Sequence, residues 1–211
     1  IYPKGFKVTD KGLSIEIAPN ITTDRYGMDD IPSQGYWKNP ETALYWYLRN
    51  DGYFIPQGVA NTTEIVLNFT VEKKTPKEYS EASKRYGDPL LVYTSPQWYS
   101  ESKALGDIIP AEKSPFPVYE RIIATGVDNI EAQRRHREEY GMLNFGDWNF
   151  WAPDSNNQWG NTEYDLAYGL FLHFARTGEL RYFDRAQEAA VHFRDVDVVH
   201  YSNQPHRSST P

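Results

Sequence analysis

The C-terminal third of this chain concentrates the side chains needed for proton transfer beside a carboxylate: Asn144, Asn161, Tyr164, His192, His200, His206 and Arg207. A histidine titrating near neutrality takes a proton without a large shift. A tyrosine can hand one back, and arginine or asparagine steadies the negative charge that develops between the two events. On that inventory His200 and His206 are candidate bases and Tyr164 is an assisting acid. Arg207, with Asn144 or Asn161, is a candidate for neutralising the carboxylate. His173 falls on an apolar stripe and reads as a packed residue. His192 and Asp195, three apart on one expected helix, read as a solvated pair.

The stretch from Asn144 to Asp165, NFGDWNFWAPDSNNQWGNTEYD, has the materials of a sugar-binding surface. Trp148, Trp151 or Trp159 could floor it by stacking, while Asp147, Asn161 and Glu163 bond hydroxyls. The same residues serve a packed core as well, with the tryptophans filling space and Asn161 and Glu163 starting a helix. Asp147 with Glu163 or Asp165 would supply the two carboxylates of a glycoside hydrolase. Glu163 and Asp165 cannot act together from one helix, since at about 100° per residue they point some 200° apart. The DVD run at 195–197 looks like half a calcium loop but lacks the remaining ligands. No cofactor is expected, with a divalent cation such as calcium the alternative, and no metal-ligand set is assigned.

The elements that must position these residues follow from periodicity. Leu13 to Ile17, TALYWYLRN with its pause at Asp51-Gly52, and TTEIVLNFTV read as antiparallel strands. Residues 1–75 are therefore expected to form a β-rich, sandwich-like module. Residues 76–118 read as a helix opening at Pro76 followed by an irregular, proline-rich connector. Residues 119–211 read as helical. A long helix ends at Gly141 and is interrupted or kinked near Gly126. A hairpin follows in which Asn161 caps a helix bearing Leu166, Leu170 and Phe174, Gly178 closes it, and Tyr182, Phe183, Ala186, Ala189, Ala190 and Phe193 form the second stripe. Gly169 inside the first of these helices marks a close helix contact or the approach of a ligand.

Bulk composition narrows the partners. With 29 acidic against 22 basic residues the net charge is -7, so nucleic acid and anionic membranes are not expected to bind. The absence of cysteine removes disulfides, thiolate metal sites and thiol nucleophiles. Aromatics reach 15% while mean hydropathy is -0.70, so much of the apolar material is rings with polar tips. Three Asn-x-Thr triplets, at Asn20, Asn61 and Asn68, are glycosylation candidates and point to a secreted, extracellular protein.

The order YGMLNFGDW, WGNTEYD, RTGELRYFDRA and HFRDVDVVH, preceded by YPKGFKV and YWYLRNDGYFIPQGVANTTEIVLNF, resembles the polysaccharide lyases of the exo-rhamnogalacturonan lyase type. That resemblance implies an α+β multidomain fragment, an antiparallel β-rich module followed by the first helical hairpins of an (α/α) toroid. The catalytic toroid would continue beyond residue 211, and the remainder of the polypeptide would be needed to complete it. It also implies exo-acting β-elimination on a polysaccharide substrate, a rhamnogalacturonan-like glycan containing uronic acid. A glycoside hydrolase on the same scaffold and a non-catalytic secreted glycan-binding or structural protein are the alternatives.

Overall fold

A computed structural model describes residues 4–17, 48–49, 52–53, 57–87, 89–137, 145–148 and 164–203. Within them the chain is mixed α+β. Strands β1 (Gly5–Thr9) and β2 (Gly12–Glu16) pair antiparallel with Phe6 opposite Ile15, and β3 (Leu48–Arg49) pairs with β4 (Gly52–Tyr53) around the expected Asp51-Gly52 pause. The alternating stretch 62–71 was also expected to be a strand; among the described residues it carries no strand pairing. Alternation makes a strand only where a neighbour supplies the ladder, and Ile65, Leu67, Phe69 and Val71 stay exposed instead.

Helix α1 (Pro76–Gly87) starts where its capping chemistry dictates. Glu78 N–H donates to Thr75 Oγ1, and the Glu78 carboxylate reaches back to accept from Thr75 N–H at 2.8 Å. This is a reciprocal capping box, with Pro76 in the first turn where its missing N–H costs nothing. The following connector is more ordered than its prolines suggested. Ser95 accepts from Trp98 N–H and opens α2 (Pro96–Ser102), and a 3-10 turn covers Ala111–Lys113. Pro96 and Pro117 begin helices rather than breaking them.

Helix α3 (Pro117–Arg137) passes through Gly126 without the expected interruption. A single glycine costs about 1 kcal/mol relative to alanine, too little to end a helix of this length. Helices α4 (Leu166–Thr177) and α5 (Leu180–His192) form the expected hairpin. Gly178, at φ 74°, donates its N–H to the Phe174 carbonyl, so the left-handed cap falls where the Thr-Gly-Glu sequence put it. The start of α4 corrects the expectation. Its cap residue is Asp165, not Asn161, and both Tyr164 (φ 68°) and Asp165 (φ 50°) are left-handed.

The core forms where the stripes meet. Val127 of α3, Leu170 and Phe174 of α4 and Tyr182 and Ala186 of α5 are buried together, with Leu91, Leu166, Phe171 and Phe183 packed around them. Ala186 is wholly buried, so its small side chain lets α5 lie close to its neighbours. Edge-on ring contacts join Phe174 to Tyr93 and Phe171 to Phe183 at 5.2 and 5.7 Å. Past His192 the chain makes a π-helical turn, Phe193–Asp197, closed by Val198 N–H on the Phe193 carbonyl.

Candidate functional site

Two open clefts lie among the described residues. The larger, about 510 Å³, runs between the extended stretch 64–70 and α1 and is lined by Glu64, Asn68, Lys74, Tyr79 and Tyr86 among others. It holds none of the proton-transfer candidates. The second, about 390 Å³, lies between α3 and α4. Tyr119, Ile123 and Val127 form one wall, and Leu166, Gly169, Leu170, Leu172, His173 and Arg176 form the other, with Tyr164 and Asp165 at the end where α4 begins. Of the two, this cleft alone combines a candidate acid with an imidazole and a guanidinium.

Arg176 and His173 are one turn apart on α4, so both face α3. The Arg176 guanidinium donates from Nε to the Ile109 carbonyl at 2.9 Å and from Nη2 to Glu120. Its Nη1 stands 3.4 Å from His173 Nδ1. Since arginine can only donate, His173 Nδ1 accepts and the ring proton sits on Nε2. Burial, then the neighbouring Arg176 charge, holds the His173 pKa below the ordinary histidine value, so the ring is neutral at pH 7. For Glu120, burial pushes the carboxyl pKa up, but bonds from Arg176 and Ser114 and the Arg176 charge outweigh it and leave it lowered. The expectation that His173 is a packed residue holds, since it is buried and meets Tyr182 edge-on at 4.5 Å. It lines the cleft as well. The four-residue apolar step hid that second role, and only its i,i+3 relation to Arg176 signalled it.

Among the described residues a methyl added at the Gly169 Cα would meet nothing within 4 Å, so no close helix contact accounts for this glycine, and it lines the cleft. Tyr164 is exposed at the mouth. Two adjacent side-chain-bearing residues in left-handed conformation are costly, of order 1–3 kcal/mol each, and such strain gathers at functional sites.

Asp147, a candidate hydroxyl binder and hydrolase carboxylate, lies elsewhere, beneath a strap formed by Phe145, Gly146, Asp147 and Trp148 across α5. Its backbone carbonyl accepts from Arg185, its Oδ1 accepts from Trp148 N–H at 2.7 Å, and its Oδ2 faces His192 Nε2 at 3.7 Å. Trp148 is half-buried in the same strap, and neither residue lines the cleft. Phe145 meets the His192 ring edge-on at 5.4 Å. Around the strap, Arg185 approaches Glu188 and Glu131 at 3.3 and 3.5 Å, and Arg134 donates to Glu188 at 2.7 Å.

The solvated pair expected of His192 and Asp195 is corrected: His192 is 3% exposed and Asp195 1%. The π-helical turn separates their partners. His192 stands between Asp147 and Asp197, whereas Asp195 accepts from Thr62 N–H and Oγ1 and from Arg194 Nε. Burial makes the Asp195 carboxyl harder to ionise, but those bonds outweigh it and its pKa is lowered. Asp195 is thus committed to protein groups, whereas Asp197 approaches His192 with Oδ1 and keeps Oδ2 buried without a hydrogen-bond partner. Among the described residues no three histidine or acidic side chains gather to hold a metal ion.

His200 is exposed and absent from the cleft lining. Its Nε2 donates to the Arg194 carbonyl at 2.6 Å, and its N–H donates to the Gly58 carbonyl. Only Nδ1 remains to take a proton. Of the glycosylation candidates, Asn68 is exposed beside Tyr86, while Asn61 Nδ2 is buried and its Oδ1 accepts from Thr63. Asn20, Asn144, Trp151, Trp159, Asn161, Glu163, His206 and Arg207 lie outside the described residues. Among the described residues no helix is long and apolar enough to cross a membrane. No protein-family model matches the chain, and no curated protein matches it either.

Proposed function

We propose that this protein is a secreted carbohydrate-active enzyme, a polysaccharide lyase that shortens a rhamnogalacturonan-like, uronic-acid-containing glycan from its end by β-elimination. In this reading α4 and α5 are an opening hairpin of an (α/α) toroid, completed by further polypeptide and preceded by the β-rich module. One juxtaposition supports it: Tyr164, the candidate acid, stands at the mouth of a cleft whose wall carries the neutral His173 ring and the Arg176 guanidinium. A cleft of about 390 Å³ falls within the range of small-ligand sites.

The chemistry follows from the groups. A base removes the C5 proton of the uronate, the electron pair forms a C4–C5 double bond, the C4–O4 bond breaks towards oxygen, and Tyr164 protonates the departing O4. The base is His200 or His206; at His200, Nε2–H is held by the Arg194 carbonyl and Nδ1 is the nitrogen left to accept. The hydrolase alternative loses ground, since Asp147 is buried under the strap and away from Asp165 at the cleft.

Incubating the protein with rhamnogalacturonan tests the reaction. Ultraviolet absorbance from unsaturated uronosides should grow with time, and Tyr164→Phe should slow it by about a hundredfold or more, the usual range for lost proton transfer. Reducing sugar released without that chromophore would overturn the lyase reading.

A further inference from the structure

The Arg176 guanidinium is both fixed and incompletely used. It carries five N–H donors, of which Nε–H is taken by Ile109, one on Nη1 by His173 and one on Nη2 by Glu120. One donor therefore remains on each terminal nitrogen, and both belong to a side chain that lines the cleft. Two donors on one planar fork suit the two oxygens of a carboxylate. Glu120 and the Ile109 carbonyl hold the fork from behind, so little side-chain entropy is lost when a ligand arrives.

We propose that Arg176 is the specificity-determining residue of this cleft, receiving the carboxylate of a pyranose ring on its two unused donors while the ring lies over Gly169. This inference rests on the lyase reading and moves the carboxylate-binding role from Arg207 to Arg176. His173 adds to the selection. With Nδ1 accepting from Arg176, the neutral ring has only a donor left, on Nε2, and a donor suits an oxygen-rich ligand. Gly169 leaves the wall open where a side chain would meet the ring. Arg176 is paired with Glu120, and Asp165 at the end of the cleft adds a carboxylate, so the preference is carried by the two unused donors and not by net charge.

Titration calorimetry of the full chain with galacturonate, galactose and glutarate tests this. Galacturonate should bind at least about tenfold more tightly than galactose, the worth of one charge-assisted contact. Arg176→Lys keeps the charge and stem but loses the fork, and should erase most of that preference while leaving galactose affinity unchanged. Thermal transitions of both proteins verify that the variant folds. Equal affinity for the two sugars, failure of both to bind, or a preference that survives Arg176→Lys overturns the proposal. Glutarate binding as tightly as galacturonate also overturns it, by making this a general or peptide-carboxylate site. The two readings fail separately. Polymer cleavage without a uronate preference sinks Arg176 alone, and a uronate preference without cleavage sinks the lyase alone.

Discussion

At the scale of single residues, one glycine shows how tightly the strap is seated. Gly146 has φ 76°, and a Cβ there would lie 2.2 Å from the Glu188 carbonyl oxygen and 3.0 Å from His192 Cβ. Backbone atoms on a packed helix cannot yield as a flexible side chain would. Gly146→Ala should therefore cost about 2–4 kcal/mol, from left-handed strain together with lifting Asp147 off Arg185. Chemical denaturation measures it, and an unchanged midpoint would mean that the strap contributes nothing to folding. The sequence gives no sign that Asp147 faces inward, because an Asp in a polar, asparagine-rich stretch reads as solvated, whereas here its carboxylate accepts from Trp148 N–H and faces the distant His192.

At the scale of elements, legibility tracked how local the determining forces are. The α4–α5 hairpin was readable because its stripe and its Gly178 cap lie within one short segment. So was α1, whose Thr-Pro-Lys-Glu box satisfies itself. The unpaired stretch 62–71 was not, because a strand depends on a neighbour that its own residues cannot specify. The start of α4 was misread for a related reason. Asn161 is a good cap by type, but two left-handed residues, Tyr164 and Asp165, delay the helix to Leu166. The cleft opens beside that late start, and Gly169 separates helix stability from ligand access within it. Gly169→Ala should raise stability by up to about 1 kcal/mol, since the methyl meets no atom and helix propensity improves. It should also weaken ligand binding by narrowing the wall. Thermal melts and the calorimetric titration read the two effects independently, and a destabilised variant would show that the wall is not open there.

At the scale of the whole molecule, the segment after β4 is tied to the end of the helical hairpin by a latch centred on Asp195. Ala60 N–H donates to the Asp195 carbonyl at 2.7 Å, Thr62 donates to the carboxylate from N–H at 2.7 Å and from Oγ1 at 3.1 Å, and His200 N–H reaches Gly58. Arg194 closes the ring by binding both Asp195 and Thr62. These contacts span more than a hundred positions of sequence, which is why the short run DVD gives no local sign of a tether. A latch held by an ionised carboxylate must respond to pH, and the sign is fixed. The folded pKa of Asp195 lies below its ordinary value of 3.8, so the unfolded chain binds the proton more readily. Its stabilisation is present above that ordinary value and is lost as pH falls through the folded one. Asp195→Asn should accordingly cost about 2 kcal/mol at pH 7, because it replaces a charged acceptor of three bonds with a neutral amide. That deficit should shrink as the wild type protonates its own Asp195 in strong acid. Glu120, whose pKa is likewise lowered, leaves both proteins with a residual acid slope. Denaturant titrations between about pH 7 and pH 2 should therefore show two stability curves that run parallel above about pH 4 and converge below it. Curves that stay parallel throughout would mean that the latch does not depend on the Asp195 charge.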